Sequence, residues 1–167
     1  MLHLVLCWHF HQPDYRDADG KYQLPWTYLH AVKDYADMAA HLEAVPDMHC
    51  VVNFVPTLTA QLDDYTAQFS AALGPDDMRD PLLASLIDPN LGSLEEKAKR
   101  SLIEQCFKLN HATMLEPFPA YRRLYTLWKM VAESGDAGLS YLSGAYMADL
   151  VTWYHLAWTG ETLRQAR

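Results

Sequence analysis

The chain has 167 residues, 50% of them hydrophobic and 20% charged, with a formal net charge of −8. That length suits one domain with a sizeable core, and the composition excludes a disordered chain. The acidic balance, with no Lys/Arg cluster, excludes a partner recognised through its phosphates, so no nucleic acid is expected. No apolar run approaches the roughly 20 residues of a bilayer span, so no membrane is expected either. Met1 to Cys7 lacks the basic start of a secretory leader, and its apolar run is broken by His3 and stopped by His9. Cys7, Cys50 and Cys106 are odd in number and widely spaced, and two fall in predicted strands. They read as buried free thiols in a reducing compartment, which predicts a cytoplasmic location.

In chain order, the apolar run 2–8 predicts a strand covered on both faces. Residues 10–25 are turn-rich, with Pro13, Asp14, Asp17, Asp19 and Gly20. Leu29, Val32, Ala36, Ala39 and Leu42 recur at helical spacing and predict a helix over 26–44, closed by Pro46. The β-branched run 49–55 predicts a second strand. Strand, helix, strand is most economically a parallel pair joined by a right-handed crossover. A helix over 57–69 would carry Leu58, Leu62, Tyr65 and Phe69 on one face. After Gly74-Pro75 no strand-like run recurs. Helices are predicted over 76–87, over 94–110 with a capping box from Ser93 to Glu96, over 120–133, and after Ser143 as N-cap. The last presents Met147, Leu150, Val151, Tyr154 and Trp158 on one face. Its Trp153, Tyr154 and Trp158 read as core packing before any sugar platform. Two parallel strands make a poor sheet alone, so the pattern reads as the first part of a larger fold.

The chemistry-bearing stretch is Trp8-His9-Phe10-His11-Gln12-Pro13. His9 and His11 are two apart, so on extended backbone they share a face. Three readings stand: metal ligation, recognition of a hydroxyl-rich ligand by His11 and Gln12, or two imidazoles satisfied by backbone carbonyls near a strand end. The metal reading needs further ligands, and His30, Asp34, His111 and His155 show no tight ligand spacing. Trp26, just after Pro25, could stack on a sugar face or plug the core. Asn53 would share the rim with His11 if the strands are parallel. The carboxylate pairs Asp63/Asp64, Asp76/Asp77 and Glu95/Glu96 suit solvated or capping roles. No Ser/His/Asp pattern, phosphate loop or CxxC is present.

Beyond His11-Gln12-Pro13, four further blocks come in order: 24–35 (Leu24-Pro25-Trp26 to Asp34-Tyr35), 53–58, 116–121 and 149–158. Together they resemble the N-terminal part of glycoside hydrolase family 57, the α-amylase-like and α-glucan-acting enzymes. The resemblance implies an α/β fold: the start of a (β/α)7 barrel over 1–74, with two parallel strands and their helices, then a mainly helical region of the same domain over 75–167. It implies retaining hydrolysis or transfer of α-glucosidic bonds by a glutamate nucleophile and an aspartate acid/base, with no metal or other cofactor. Retention requires carboxyls roughly 5–5.5 Å apart. Both catalytic motifs are expected downstream of residue 167. Glu161 follows Gly160 but does not end an apolar strand, and takes no such role. Of the site residues the resemblance carries over His11 alone, lining the subsite beside the scissile bond; His9, Gln12, Trp26 and Asn53 are expected as further substrate-binding residues from their placement. The isolated chain is therefore expected to be an inactive N-terminal fragment, prone to self-association through an exposed barrel edge. The alternatives are a metal-dependent hydrolase with a His9/His11 site and a non-catalytic helical interaction domain.

Overall fold

The computed structural model describes residues 3–165. Contacts divide the chain into two compact units, one running to Pro81 and resuming at Thr159, the other from Leu82 to Trp158.

In the first unit, β1 (Cys7–Phe10) pairs in parallel with β2 (Val51–Phe54), in the register Cys7↔Val51, Trp8↔Val52, His9↔Asn53 and Phe10↔Phe54. β1 thus begins later than the pattern suggested and takes His9 and Phe10 into the ladder; Leu2, counted in the predicted strand, lies outside the described residues. The expected cover on both faces is not found either. Val51, Val52 and Phe54 are 56%, 39% and 51% exposed, and Leu4 and Val5 more so. With the strand uncovered, Cys7 is exposed and Cys50 half-buried; among the three free thiols only Cys106 is buried.

The crossover helix is interrupted. α1 (Trp26–His30) passes through a π-helical turn, Ala31–Tyr35, into α2 (Ala36–Glu43). A π turn inserts a residue into the helical repeat and rotates the turns beyond it about the axis. This breaks the expected apolar stripe: Leu29 is fully buried, whereas Val32 is 36% exposed and Ala39 is exposed. The turn also leaves Val32 O open to a partner, and Gly160 N donates to it at 2.8 Å. A Cβ on Gly160 would stand 2.9 Å from Lys33 O, so the approach requires glycine.

β2 leads into α3 (Pro56–Ser70), with Pro56 at its start where a missing N–H costs nothing. Its buried face is Leu58, Gln61, Tyr65 and Gln68. Leu62 and Phe69, assigned to that face from their polarity, are displaced by two fully buried glutamines, and Phe69 is 55% exposed. The glutamines belong inside because both amide ends find partners. Gln68 donates to Asp64 at 3.0 Å and accepts from Arg79 N at 2.8 Å. Tyr65, stacked on Tyr22 at 4.3 Å, donates to buried Asp80 at 2.6 Å.

The second unit is helical: α4 (Pro81–Ile87), whose first residue closes the first unit, then α5 (Glu96–Cys106), α6 (His111–Met114), α7 (Pro119–Ala132) and α8 (Gly144–Trp158). α8 buries Met147, Leu150, Val151, Tyr154 and Trp158, the face expected of it, and Ser143 Oγ caps it by accepting from Tyr146 N at 3.2 Å. The capping box at α5 does not form. Ser93 closes a 3₁₀ turn, Leu91–Ser93, and its hydroxyl donates to Asn90 O at 2.8 Å. That turn lies against the start of α8, where a Cβ on Gly92 would meet Gly144 Cα at 2.9 Å. The first unit is completed by α9 (Glu161–Gln165).

Candidate functional site

Strand alternation sorts the side chains of the Trp8–Gln12 stretch into two sets. Trp8, Phe10 and Gln12 point to one side. Phe10 stacks on Phe54 of β2 at 4.7 Å and meets the edge of Tyr35 at 4.8 Å, so Phe10 is buried on this side although Phe54 stays half exposed. His9, His11 and Asn53 point to the other. The register sets Asn53 directly beside His9, whose Nδ1 donates to Asn53 Oδ1 at 2.7 Å. That bond fixes the tautomer: Nδ1 carries the proton and Nε2 of the neutral ring remains an acceptor. The His11 ring lies 5.8 Å from that of His9 and within 9° of parallel. All three residues are exposed. Two parallel imidazoles and an amide at a strand end offer donors and acceptors in fixed directions, as a polyhydroxylated ligand needs.

Gln12 is placed differently. Its Nε2 donates to the Tyr35 hydroxyl at 3.1 Å and its Oε1 accepts from the Tyr15 hydroxyl at 2.6 Å. Its carbonyl accepts from Thr57 Oγ1 at 3.1 Å. Trp26 is half-buried at the first residue of α1, its ring 6.3 Å from that of His30, which in turn lies 6.3 Å from Tyr35. A line of rings thus runs from Trp26 through His30 and Tyr35 to Phe10. The structure brings His9, His11 and Asn53 into one cluster and connects Gln12 and Trp26 to it through this second line.

The nearby carboxylates are held in their charged form. Arg16 donates to Asp14 through Nε at 2.9 Å, Nη2 at 2.7 Å and its backbone N at 3.1 Å, which lowers the Asp14 pKa to about 2. Partial burial opposes the ionisation of Asp34, but hydrogen bonds from His30 and Lys33 outweigh it and hold the carboxyl below its usual range. A general acid must keep a proton near neutral pH, which calls for a raised pKa. Neither group can do so. Among the described residues no three of His, Cys, Asp and Glu converge as a cation cage.

Several groups at this site escape a reading of the sequence. Tyr15 and Tyr35 carry no signal there beyond being aromatic. His30 and Asp34 are four apart in the sequence, but nothing in that spacing shows that the two side chains bond each other.

α/β enzymes keep their sites at the C-terminal ends of parallel strands, and His9, His11 and Asn53 gather at that end of the β1–β2 pair. A family model described as Glycosyl hydrolase family 57 matches residues 5–167, and the chain belongs to that family. Comparison with curated proteins and with solved structures gave no match. No helix among the described residues is long and apolar enough to cross a membrane.

Proposed function

We propose that this chain forms the substrate-binding start of a retaining glycoside hydrolase or glucanotransferase acting on α-glucans. The observation that carries the reading is the strand-end cluster of His9, His11 and Asn53, exposed and oriented by the His9–Asn53 hydrogen bond. In this reading His11 and the free acceptor of His9 bind sugar hydroxyls, Trp26 offers a ring edge farther along, and Gln12 contributes by holding Tyr15 and Tyr35. The parallel pair β1–β2 opens a (β/α)7 barrel, spanning 1–74, and the helices of 75–167 belong to the same domain. Asp14 and Asp34 are both held ionised, which removes them as the general acid; the nucleophile is likewise taken to come from elsewhere. Exposed Leu4, Val5, Val51, Val52 and Phe54 support self-association through the sheet. The proposed setting is cytoplasmic.

Incubation of residues 1–167 with soluble starch and with maltoheptaose tests the division of labour. No reducing ends should appear, while equilibrium dialysis should detect bound maltoheptaose. Turnover would overturn the assignment of the carboxylates; absence of binding would overturn the substrate-binding role.

A further inference from the structure

Gln61 on α3 touches none of the strand-end cluster, and in sequence it is one polar residue on a helix facing the wrong way. In the structure it is fully buried and every hydrogen-bonding position of its amide is used. Oε1 accepts from Tyr15 N at 3.2 Å and from Thr27 Oγ1 at 3.1 Å. Nε2 donates to Pro13 O at 2.9 Å and to Thr57 O at 2.9 Å. Two of these partners, Pro13 O and Tyr15 N, are backbone groups of the loop that leaves β1, and the others tie that loop to α1 and to the first turn of α3.

We infer that Gln61 is the positioning residue of the substrate loop, setting His11 by fixing the backbone on its C-terminal side; this rests on the α-glucan-binding reading. The path is short. His11 is anchored before by Phe10, clamped between Phe54 and Tyr35, and after by Gln12, whose carbonyl meets Thr57. Gln61 then holds Pro13 and Tyr15, and the Tyr15 hydroxyl returns to the Gln12 side chain at 2.6 Å. A buried amide with four partners in four directions tolerates no drift, because any shift leaves a buried polar group unpaired. Only glutamine matches this set. Glutamate lacks the two donors, and methionine of similar length lacks all four groups.

Gln68 supplies the control. It lies on the same helix, is 1% exposed, and is also bonded at both amide ends, but to Asp64 and Arg79 and not to the loop. Gln61→Met and Gln68→Met should therefore weaken folding alike yet differ at the site. Maltoheptaose Kd, by titration calorimetry on folded samples, should rise about tenfold in Gln61→Met and less than about twofold in Gln68→Met. Amide exchange by NMR gives a second readout without ligand. Tyr15 N–H should lose protection in Gln61→Met while Val51 N–H, bonded to Leu6 O in the sheet, keeps it. Gln61→Leu removes the acceptor and the donors alike in a shorter side chain and should loosen the same amide, should the methionine variant fail to fold. Equal losses of affinity in the two methionine variants, or a Tyr15 amide as protected as in wild type, would overturn the inference. If wild type itself binds no maltoheptaose, the α-glucan reading fails, and the Tyr15 amide alone decides whether Gln61 positions the loop.

Discussion

Replacing Asp37 by alanine should loosen α9 against α2 at a cost of about 1–2 kcal/mol to the first unit. The first amides of a helix have no partner within it. In α9 two of them are met from 124 and 125 residues away: Asp37 Oδ2 accepts from Glu161 N at 3.0 Å and Oδ1 from Thr162 N at 3.0 Å. Losing such an acceptor costs roughly 0.5–2 kcal/mol, and losing the charge facing the helix start roughly 0.3–1 kcal/mol more at an exposed site. The Gly160–Val32 bond at 2.8 Å survives the substitution, so α9 should loosen without leaving. In amide exchange by NMR, protection of Glu161 and Thr162 should fall about tenfold, the equivalent of about 1.4 kcal/mol. The carboxyl also gives the effect a pH dependence. Partial burial opposes its ionisation, but the Thr162 and Glu161 amides prevail and set its pKa below the ordinary value of 3.8. A depressed folded-state pKa stabilises above the unfolded value and ceases to do so as pH falls through the folded one. Wild-type protection should therefore fade below about pH 4, and Asp37→Ala should show no such fade. Unchanged protection in Asp37→Ala, or a loss spread evenly over α3, would refute the reasoning.

Gly160→Ala attacks the same contact from the other side, since a Cβ would stand 2.7 Å from Asp37 Oδ1 and 2.9 Å from Lys33 O. It should destabilise by about 1–3 kcal/mol in urea unfolding, and a neutral result would contradict the close approach. Tyr65→Phe removes the donor to Asp80, which is 1% exposed, and should cost about 1.5–3 kcal/mol. An effect under about 0.5 kcal/mol would mean the pair is not formed. With a thiol-reactive dye, Cys7 should react first and Cys106 only on unfolding, because burial both shields that thiol and pushes its pKa up. Equal rates would contradict the placement of Cys106 in the core.

The parts of the molecule legible in the sequence were those governed by local pattern. The apolar run 2–8 and the β-branched run 49–55 marked two strands, and period-two alternation placed His9 and His11 together. The apolar periodicity of α8 named its buried face, and Ser143 its cap. What failed depended on partners far away in the chain. The π turn at Ala31–Tyr35 is one inserted residue, whose open carbonyl is met by Gly160. Gln61 and Gln68 look like surface residues until Pro13 O, Tyr15 N and Arg79 N are known to face them. Ser93 fits the capping-box pattern, yet the glycine contact between Gly92 and Gly144 draws it into a 3₁₀ turn. At the site the residue types were readable but their division was not. Register and strand parity turn His9, His11 and Asn53 one way and Gln12 the other, where two tyrosine hydroxyls hold it.

The most direct test of the central claim is NMR of the imidazole nitrogens during titration with maltoheptaose. The His9 and His11 signals should move together and saturate, and His11→Ala should abolish saturation while leaving the His9–Asn53 bond intact. Signals of His9 and His11 that stay still, or move no more than those of His111 and His155, would contradict the assignment of the strand-end cluster as a sugar site.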